Sequence, residues 1–338
     1  MAGSLFVDVA IILLATAVIW RGSDWLETSS ERLAAYYGLP AVVQGAIVVA
    51  IGSSFPELAT VVVSAAGGTM PIGVGAIVGS AIFNVLVIPA VAGIATAEDI
   101  DANRTLVYKE AQFYMLAVSV LLITFAFAVI YYPGPAPLSG QVTRPLAAIP
   151  LALYGLYVFI QYQDTADHEA DPGAAAGVDA RRNWLFLLAG LAVILVAVHY
   201  LVHSVEDIGV AFGVNEFLLG VTIVAAATSL PDTLVSVRAA RDGRGVTSLA
   251  NVLGSNTFDL LVAIPSGVLI VGVWTVDFEM AVPMFGVLTA ATVLLFTVLR
   301  THLALTTVES YGLLVAYLLF VGWVVAETVG LVGGVLPA

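Results

Sequence analysis

The sequence predicts an all-α integral membrane protein of ten transmembrane helices, laid out as two inverted five-helix repeats, and three observations predict it. Of the 338 residues, 60% are hydrophobic and only 10% charged, with a mean hydropathy of +1.04. Soluble domains are about 25% charged, so this chain has too little polar surface for a water-soluble globule. Apolar runs of spanning length follow one another along the whole chain. The first half is also rewritten in the second at a constant offset: Gly38 returns as Gly213, Gly45 as Gly220, Glu31 as Glu206, Gly79 as Gly254, Ser80 as Ser255 and Phe83 as Phe258, each 175 positions later. Five spans carry a chain to the opposite side of a bilayer, so two such halves must be inverted about an axis in the membrane plane.

The first run, 5–37, has neither a basic leading region nor a small-residue cleavage site, and reads as a span rather than a signal peptide. Runs at 40–67, 73–96, 110–131 and 146–162 complete a first repeat over residues 1–162. Gly73-Val-Gly75 reads as the turn that opens the third span; no lysine follows it as a phosphate loop would require. The polar stretch 163–183, rich in Asp, Gly and Ala, reads as a solvated linker. Runs at 184–212, 215–239, 247–273, 279–299 and 307–332 then build a second repeat over 184–338.

Basic residues orient the whole. Arg104, Lys109, Arg181, Arg182, Arg238, Arg241, Arg244 and Arg300 fall in or beside loops that follow odd-numbered spans, against Arg144 alone in the opposite set. The odd-loop face is therefore expected to be cytoplasmic, with both termini outside the plasma membrane.

Two spans carry acids where hydrocarbon should exclude them. Gly52-Ser-Ser-Phe-Pro-Glu57 recurs as Ala227-Thr-Ser-Leu-Pro-Asp232, each inside an apolar stretch. A carboxylate at that depth costs at least ~2.5 kcal/mol on insertion scales, so a chain that writes one twice is expected to use it on a cation or proton. Pro56 and Pro231 have no amide N–H for the carbonyls four residues back, at Gly52 and Ala227. Ser53, Ser54, Thr228 and Ser229 precede their acid by four and three residues and share its helix face. The next spans repeat Gly79-Ser80-Ala-Ile-Phe-Asn84 as Gly254-Ser255-Asn-Thr-Phe-Asp259, with 27 residues from Glu57 to Asn84 and from Asp232 to Asp259. One antiparallel helix pair per half would bring these groups to one depth. Oxygen donors alone suit hard cations such as calcium and sodium.

Other chemistry is excluded by what the chain lacks. Zero cysteines remove disulfides, thiolate metal sites and thiol redox chemistry. There is no His-Glu-x-x-His motif and no nucleophile with a base, so no enzyme is expected. His199 and His203, with Glu206 beyond, could suggest a metal, but their repeat mates Asp24 and Thr28 are not imidazoles, which favours packing or an interface. Arg21 with Asp24 reads as a polar contact at a helix end. The net charge of −13, with one lysine among eleven basic residues, places acids in the loops; this opposes nucleic-acid binding and suits a salt-loving prokaryote.

The blocks GSSFPEL with IVGSAIFN, and ATSLPDTL with VLGSNTFD, resemble the two alpha-repeats of the cation/calcium antiporter superfamily, the sodium/calcium exchangers, as does Gly22-Ser-Asp-Trp25 through Glu31-Arg32 on the first span. The resemblance covers spans 1 to 3 and 6 to 8, with motifs about 45–90 and 220–265. It implies a ten-helix antiporter that couples sodium influx to calcium extrusion by alternating access, working in the bilayer as a monomer without a resident cofactor. Carried over residue by residue, it implies calcium held by Glu57 and Asp232 with Ser54 and Thr228. It implies sodium held by Ser53, Ser54, Glu57, Ser80, Asn84, Thr228, Ser229, Asp232, Ser255 and Asp259, with carbonyls near Ala50 and Ala225.

Two departures bear on subtype. Asp232 stands where prokaryotic members commonly have Glu, and Asp259 opposite Asn84 is similar to the potassium-dependent branch and to some archaeal members. Three ionised acids, Glu57, Asp232 and Asp259, sum to −3, which three sodium ions or one calcium plus one potassium would balance. Calcium alone leaves −1, so either Asp259 then carries a proton or a monovalent ion accompanies calcium. A potassium-dependent exchanger and a proton/calcium exchanger are the alternatives within the class; a passive cation channel is the alternative outside it.

Overall fold

The structure, a computed structural model, describes residues 2–38, 50–96, 98–104, 106–163 and 178–332. The chain runs α1 (Ala2–Tyr36), the short α2 (Ala50–Ser53), α3 (Phe55–Gly67), α4 (Met70–Ala95), β1 (Ile100–Asp101), α5 (Leu106–Tyr131), β2 (Ser139–Thr143) and α6 (Arg144–Gln163). It continues through α7 (Ala180–Phe212), α8 (Glu216–Thr228), α9 (Leu230–Arg241), α10 (Gly245–Val271), β3 (Val273–Asp277), α11 (Phe278–His302), β4 (Ala304–Leu305) and α12 (Thr307–Thr328). Among the described residues, eight helices are long and apolar enough to cross a membrane, and α8 with α9 makes a ninth span bent by 45°. The expected second span is represented by α2 and α3; its first part, 40–49, including Gly45, lies outside the described residues. The polar linker lies mostly outside them too, but α7 reaches into it as far as Ala180, because the Asp179 side chain caps the helix by accepting from the Arg182 amide.

The repeat is visible in the backbone. Gly38 and its mate Gly213 end α1 and α7 with φ of 64° and 67°, the left-handed conformation that glycine adopts without penalty. The two small antiparallel sheets carry the same relation. β1 pairs with β4 as Ile100 with Leu305 and Asp101 with Ala304, and β2 pairs with β3 as Gln141 with Thr275 and Gly140 with Val276. Thr275 and Val276 are Ile100 and Asp101 advanced by 175, so one sheet is the exchange image of the other. Each sheet also joins loops of equal parity, those after spans 3 and 9 and those after spans 4 and 8, as ten alternating spans require.

Packing separates an α1–α7 pair from a central bundle. The two helices cross at glycines: a Cβ on Gly190 would stand 2.8 Å from the Gly22 carbonyl oxygen, and one on Gly22 would stand 2.7 Å from Ile194 Cγ1. Ile19, Leu26, Ile194, Val198, Leu201 and Val205 line that seam. At the centre, α4 has Ser80 and Asn84 as its only polar side chains and is buried on almost every side, as so apolar a helix must be. Its glycines serve close approach: a Cβ on Gly75 would fall on the Phe217 carbonyl and one on Gly79 on the Val221 carbonyl, both in α8. This corrects the expected turn at Gly73-Val-Gly75. The helix already begins at Met70, with Pro71 in its first turn, and both glycines lie inside it, facing α3 and α8.

The halves are not identical in winding. Asp259–Ala263 is a π-helical turn within α10, whereas the matching residues 84–88 of α4 are α-helical. Arg144 donates from Nε to the Leu269 carbonyl at 3.0 Å near the C-terminal end of α10, where free carbonyls favour a cation.

Candidate cation-binding site

Both acid-bearing spans break one residue before the proline turn. Ser54 (φ −85°, ψ 5°) separates α2 from α3, and Ser229 (φ −80°, ψ −3°) separates α8 from α9. Pro56 and Pro231 then occupy the first turns of α3 and α9, where a missing amide is tolerated, and Glu57 and Asp232 follow in the same turns. A helix start carries partial positive charge, so each carboxylate sits where the backbone favours it. The same break that leaves the Gly52 and Ala227 carbonyls without the amide of Pro56 and Pro231 thus places a carboxylate in the next helix turn.

The structure brings the expected groups together between α2, α3, α4, α8, α9 and α10, and Ser53, Ser54, Glu57, Ser80, Asn84, Thr228, Ser229, Asp232, Ser255 and Asp259 are all buried. Hydrogen bonds tie one half to the other. Ser53 Oγ meets Ser255 Oγ at 3.1 Å, Ser80 Oγ meets Ser229 Oγ at 2.7 Å, and Asn84 Nδ2 donates to Asp232 Oδ2 at 3.3 Å. Ser80 Oγ also reaches Glu57 Oε1, at 3.5 Å. The serine pairs are not exchange images, since the mate of Ser229 is Ser54 and not Ser53. The two halves therefore hold the same side chains in different arrangements.

Six buried oxygen atoms at this centre have no hydrogen-bond partner: Ser54 Oγ, Glu57 Oε2, Asn84 Oδ1, Asp232 Oδ1, and both Oδ1 and Oδ2 of Asp259. Orphaned acceptors out of water are costly, and three of these residues are acids. Hard cations satisfy such oxygens, and the donor set contains no sulfur or imidazole.

Not every expected ligand is equally free. The Thr228 hydroxyl donates to the Val224 carbonyl at 3.1 Å, and the Ala225 carbonyl accepts from Ser229 N at 3.0 Å, so both engage their own helix first. Ala50 is the first residue of α2, and its surroundings lie outside the described ones. The acids do not converge on a point either: among the described residues no three His, Cys, Asp or Glu side chains could hold a metal by themselves. An ion here needs the hydroxyl, amide and carbonyl oxygens as well as the carboxylates.

Sequence reasoning missed two residues. Asn256 is fully buried; its Oδ1 accepts from Asn84 Nδ2 at 3.0 Å, while its Nδ2 donates to the Ala81 carbonyl at 3.2 Å and Tyr114 Oη at 3.3 Å. It holds Asn84 in place, and its repeat mate is Ala81, so comparison of halves passed over it. Glu27, half-buried on α1, lies in electrostatic reach of Asp232, Glu31 and Arg238; its mate Val202 hid it likewise. The histidines stand apart from all this: His199 and His203 are exposed on α7 with rings 4.2 Å apart, and Arg21 pairs with Asp24.

The chain matches the family model described as sodium/calcium exchanger protein over residues 7–163 and 182–326. It is 29% identical over 278 residues to an uncharacterised membrane protein, MJ0091, of Methanocaldococcus jannaschii, covering 82% of this chain and 87% of the relative. It is 25% identical over 280 residues to the sodium/calcium exchanger MaX1 of Methanosarcina acetivorans, covering 74% and 79%. Its fold is similar to that of the sodium-calcium exchanger NCX_Mj soaked with sodium, with a TM-score of 0.64 and 22% identity over 94% of this chain and 99% of that one.

Proposed function

We infer the site and its cycle from one premise: the chain belongs to the sodium/calcium exchanger protein family. It is a multi-pass membrane antiporter that exchanges sodium for calcium. The observation that carries the site assignment is the set of six unpartnered buried oxygens drawn from both halves. Glu57 and Asp232, with Ser54 and Thr228, are assigned to calcium. Sodium ions divide among Ser53, Ser54, Ser80, Asn84, Thr228, Ser229, Ser255 and the three acids, with backbone oxygens near Ala50 and Ala225. Asp259, with both carboxylate oxygens unpartnered, is where a monovalent cation would balance a bound calcium.

Binding and exchange follow from charge. One site of net −3 takes either calcium or several sodium ions, and mutual repulsion of the cations makes the two loads compete. Residues 1–162 and 184–338 act as the inverted halves. Alternating access comes from rocking one unit against the central bundle, so that the fixed site faces each side in turn. We place the chain in the plasma membrane as a monomer, with both termini outside.

Proteoliposomes loaded with sodium and diluted into sodium-free medium test the reading. Calcium uptake that requires the outward sodium gradient is expected. Equal uptake without that gradient would point to a channel or a proton-coupled carrier, and uptake that stops in potassium-free medium would establish potassium coupling instead.

A further inference from the structure

Outside the central site, one side of it carries a second set of buried polar groups. On α9, Ser236 lies one turn beyond Asp232 and is fully buried. On α10, Asn251 lies one turn before Ser255, and Ser248 lies three residues before that, so the three share a face. Asn251 Nδ2 donates to Ser236 Oγ at 3.3 Å, which joins the two helices. Asn251 Oδ1 and Ser248 Oγ are buried without a hydrogen-bond partner, and Ser248 is 1% exposed.

These groups form a line. At 1.5 Å per residue, Ser248 stands about 10 Å from Ser255 along α10, most of the ~15 Å between the bilayer midplane and its edge. The line starts beside the Asp242–Arg244 loop and ends at Asp232 and Ser255 of the central site. The repeat mates of Ser236, Asn251 and Ser248 are Val61, Ala76 and Gly73, which offer no side-chain oxygen. The buried polar groups of α3, Thr60 and Ser64, have Val235 and Ala239 as mates, so the two helix pairs carry their polar groups at different positions. Of the cationic side chains at the mouth, Arg244 pairs with Asp242 at 3.3 Å, Arg238 lies in reach of Glu27, and Arg241 is exposed.

Resting on the antiport reading above, we propose that Ser236, Asn251 and Ser248 form a transit subsite for sodium, through which the ion passes between the central site and the side of the Asp242–Arg244 loop. The oxygens are neutral and few, which suits a monovalent ion in passage; calcium takes six to eight oxygens, carboxylates among them.

Asn251→Leu keeps the branched shape and the number of side-chain heavy atoms but removes the oxygen and the amide donor to Ser236. With sodium supplied from the loop side, it is expected to slow exchange about tenfold, the factor that a contact worth about 1.4 kcal/mol gives, while equilibrium calcium binding to the purified protein stays unchanged. A merely structural asparagine would lower the melting temperature and calcium binding together. Exchange at the wild-type rate, or parallel loss of calcium binding, overturns the proposal. The chain has no cysteine, so Ser248→Cys, which is near-isosteric, and Asn251→Cys, which is smaller than the native side chain, each give a single thiol. A membrane-impermeant cationic thiol reagent added on the loop side is expected to label them at least about tenfold faster than it labels Val61→Cys and Ala76→Cys when added on the opposite side, because only the former line a polar path that admits a cation. Equal labelling rates also overturn the proposal. Absence of exchange by the wild-type chain would instead sink the antiport reading, whatever the labelling shows.

Discussion

Asp232→Asn offers the sharpest test of the central site, because the structure fixes what the new amide must do. Asp232 Oδ2 accepts from Asn84 Nδ2 at 3.3 Å, and Oδ1 has no partner. An amide nitrogen facing Asn84 would set donor against donor, so the asparagine turns its oxygen to Asn84 and its NH2 into the cage. The cage thus loses one unit of charge and exchanges an acceptor for a donor. A unit charge about 4 Å from a monovalent ion contributes ~4 kcal/mol at an effective dielectric of about 20, and about twice that for a divalent ion. If only half of the divalent contribution is realised, calcium binding falls about a thousandfold, at 1.4 kcal/mol per decade. Sodium binding should weaken by far less per ion. Calorimetric titration of purified protein with each ion reads both numbers, and thermal unfolding checks the fold, which should hold because one buried negative charge has been removed from among three. Asp232→Glu should keep calcium binding. An Asp232→Asn protein that is folded and binds calcium within about tenfold of the wild type would refute the assignment of this carboxylate to the ion.

Three further outcomes follow from the packing. Gly79→Ala places a Cβ on the Val221 carbonyl and should cost about 1 to 3 kcal/mol with loss of exchange, whereas Gly155→Ala, with nothing within 4 Å, should leave the melting temperature and exchange intact; equal effects would deny the close approach of α4 and α8. Asn256→Ala removes the acceptor for Asn84 and donors to Ala81 and Tyr114, and should lower stability by about 1 to 3 kcal/mol and weaken ion binding in titrations, although it need not touch the ion. Arg144→Met uncaps the Leu269 carbonyl and should cost about 0.5 to 1.5 kcal/mol in thermal unfolding while exchange proceeds at the wild-type rate; slowed exchange would give Arg144 a role beyond that end of α10.

The sequence by itself determined that this is a multi-pass membrane protein, that its halves repeat, and which polar side chains stand inside its apolar runs. Those properties are written locally: the bilayer demands about twenty apolar residues for each crossing, and an acid or a proline inside such a run is conspicuous against it. A 175-residue offset likewise needs only comparison of the chain with itself. The offset failed where the halves differ, and for that reason Asn256 opposite Ala81, Glu27 opposite Val202 and the line from Ser248 to Ser236 went unread. Tertiary structure alone decided that Ser53 rather than Ser54 meets Ser255, that Gly75 and Gly79 serve α8 and not a turn, that the loops close into two exchange-related sheets, and that a π turn follows Asp259 but not Asn84. Each of these depends on which surface of one segment meets which surface of another, and on how closely two backbones can approach. Periodicity along one chain carries no record of that distance, which is set only when the helices are packed.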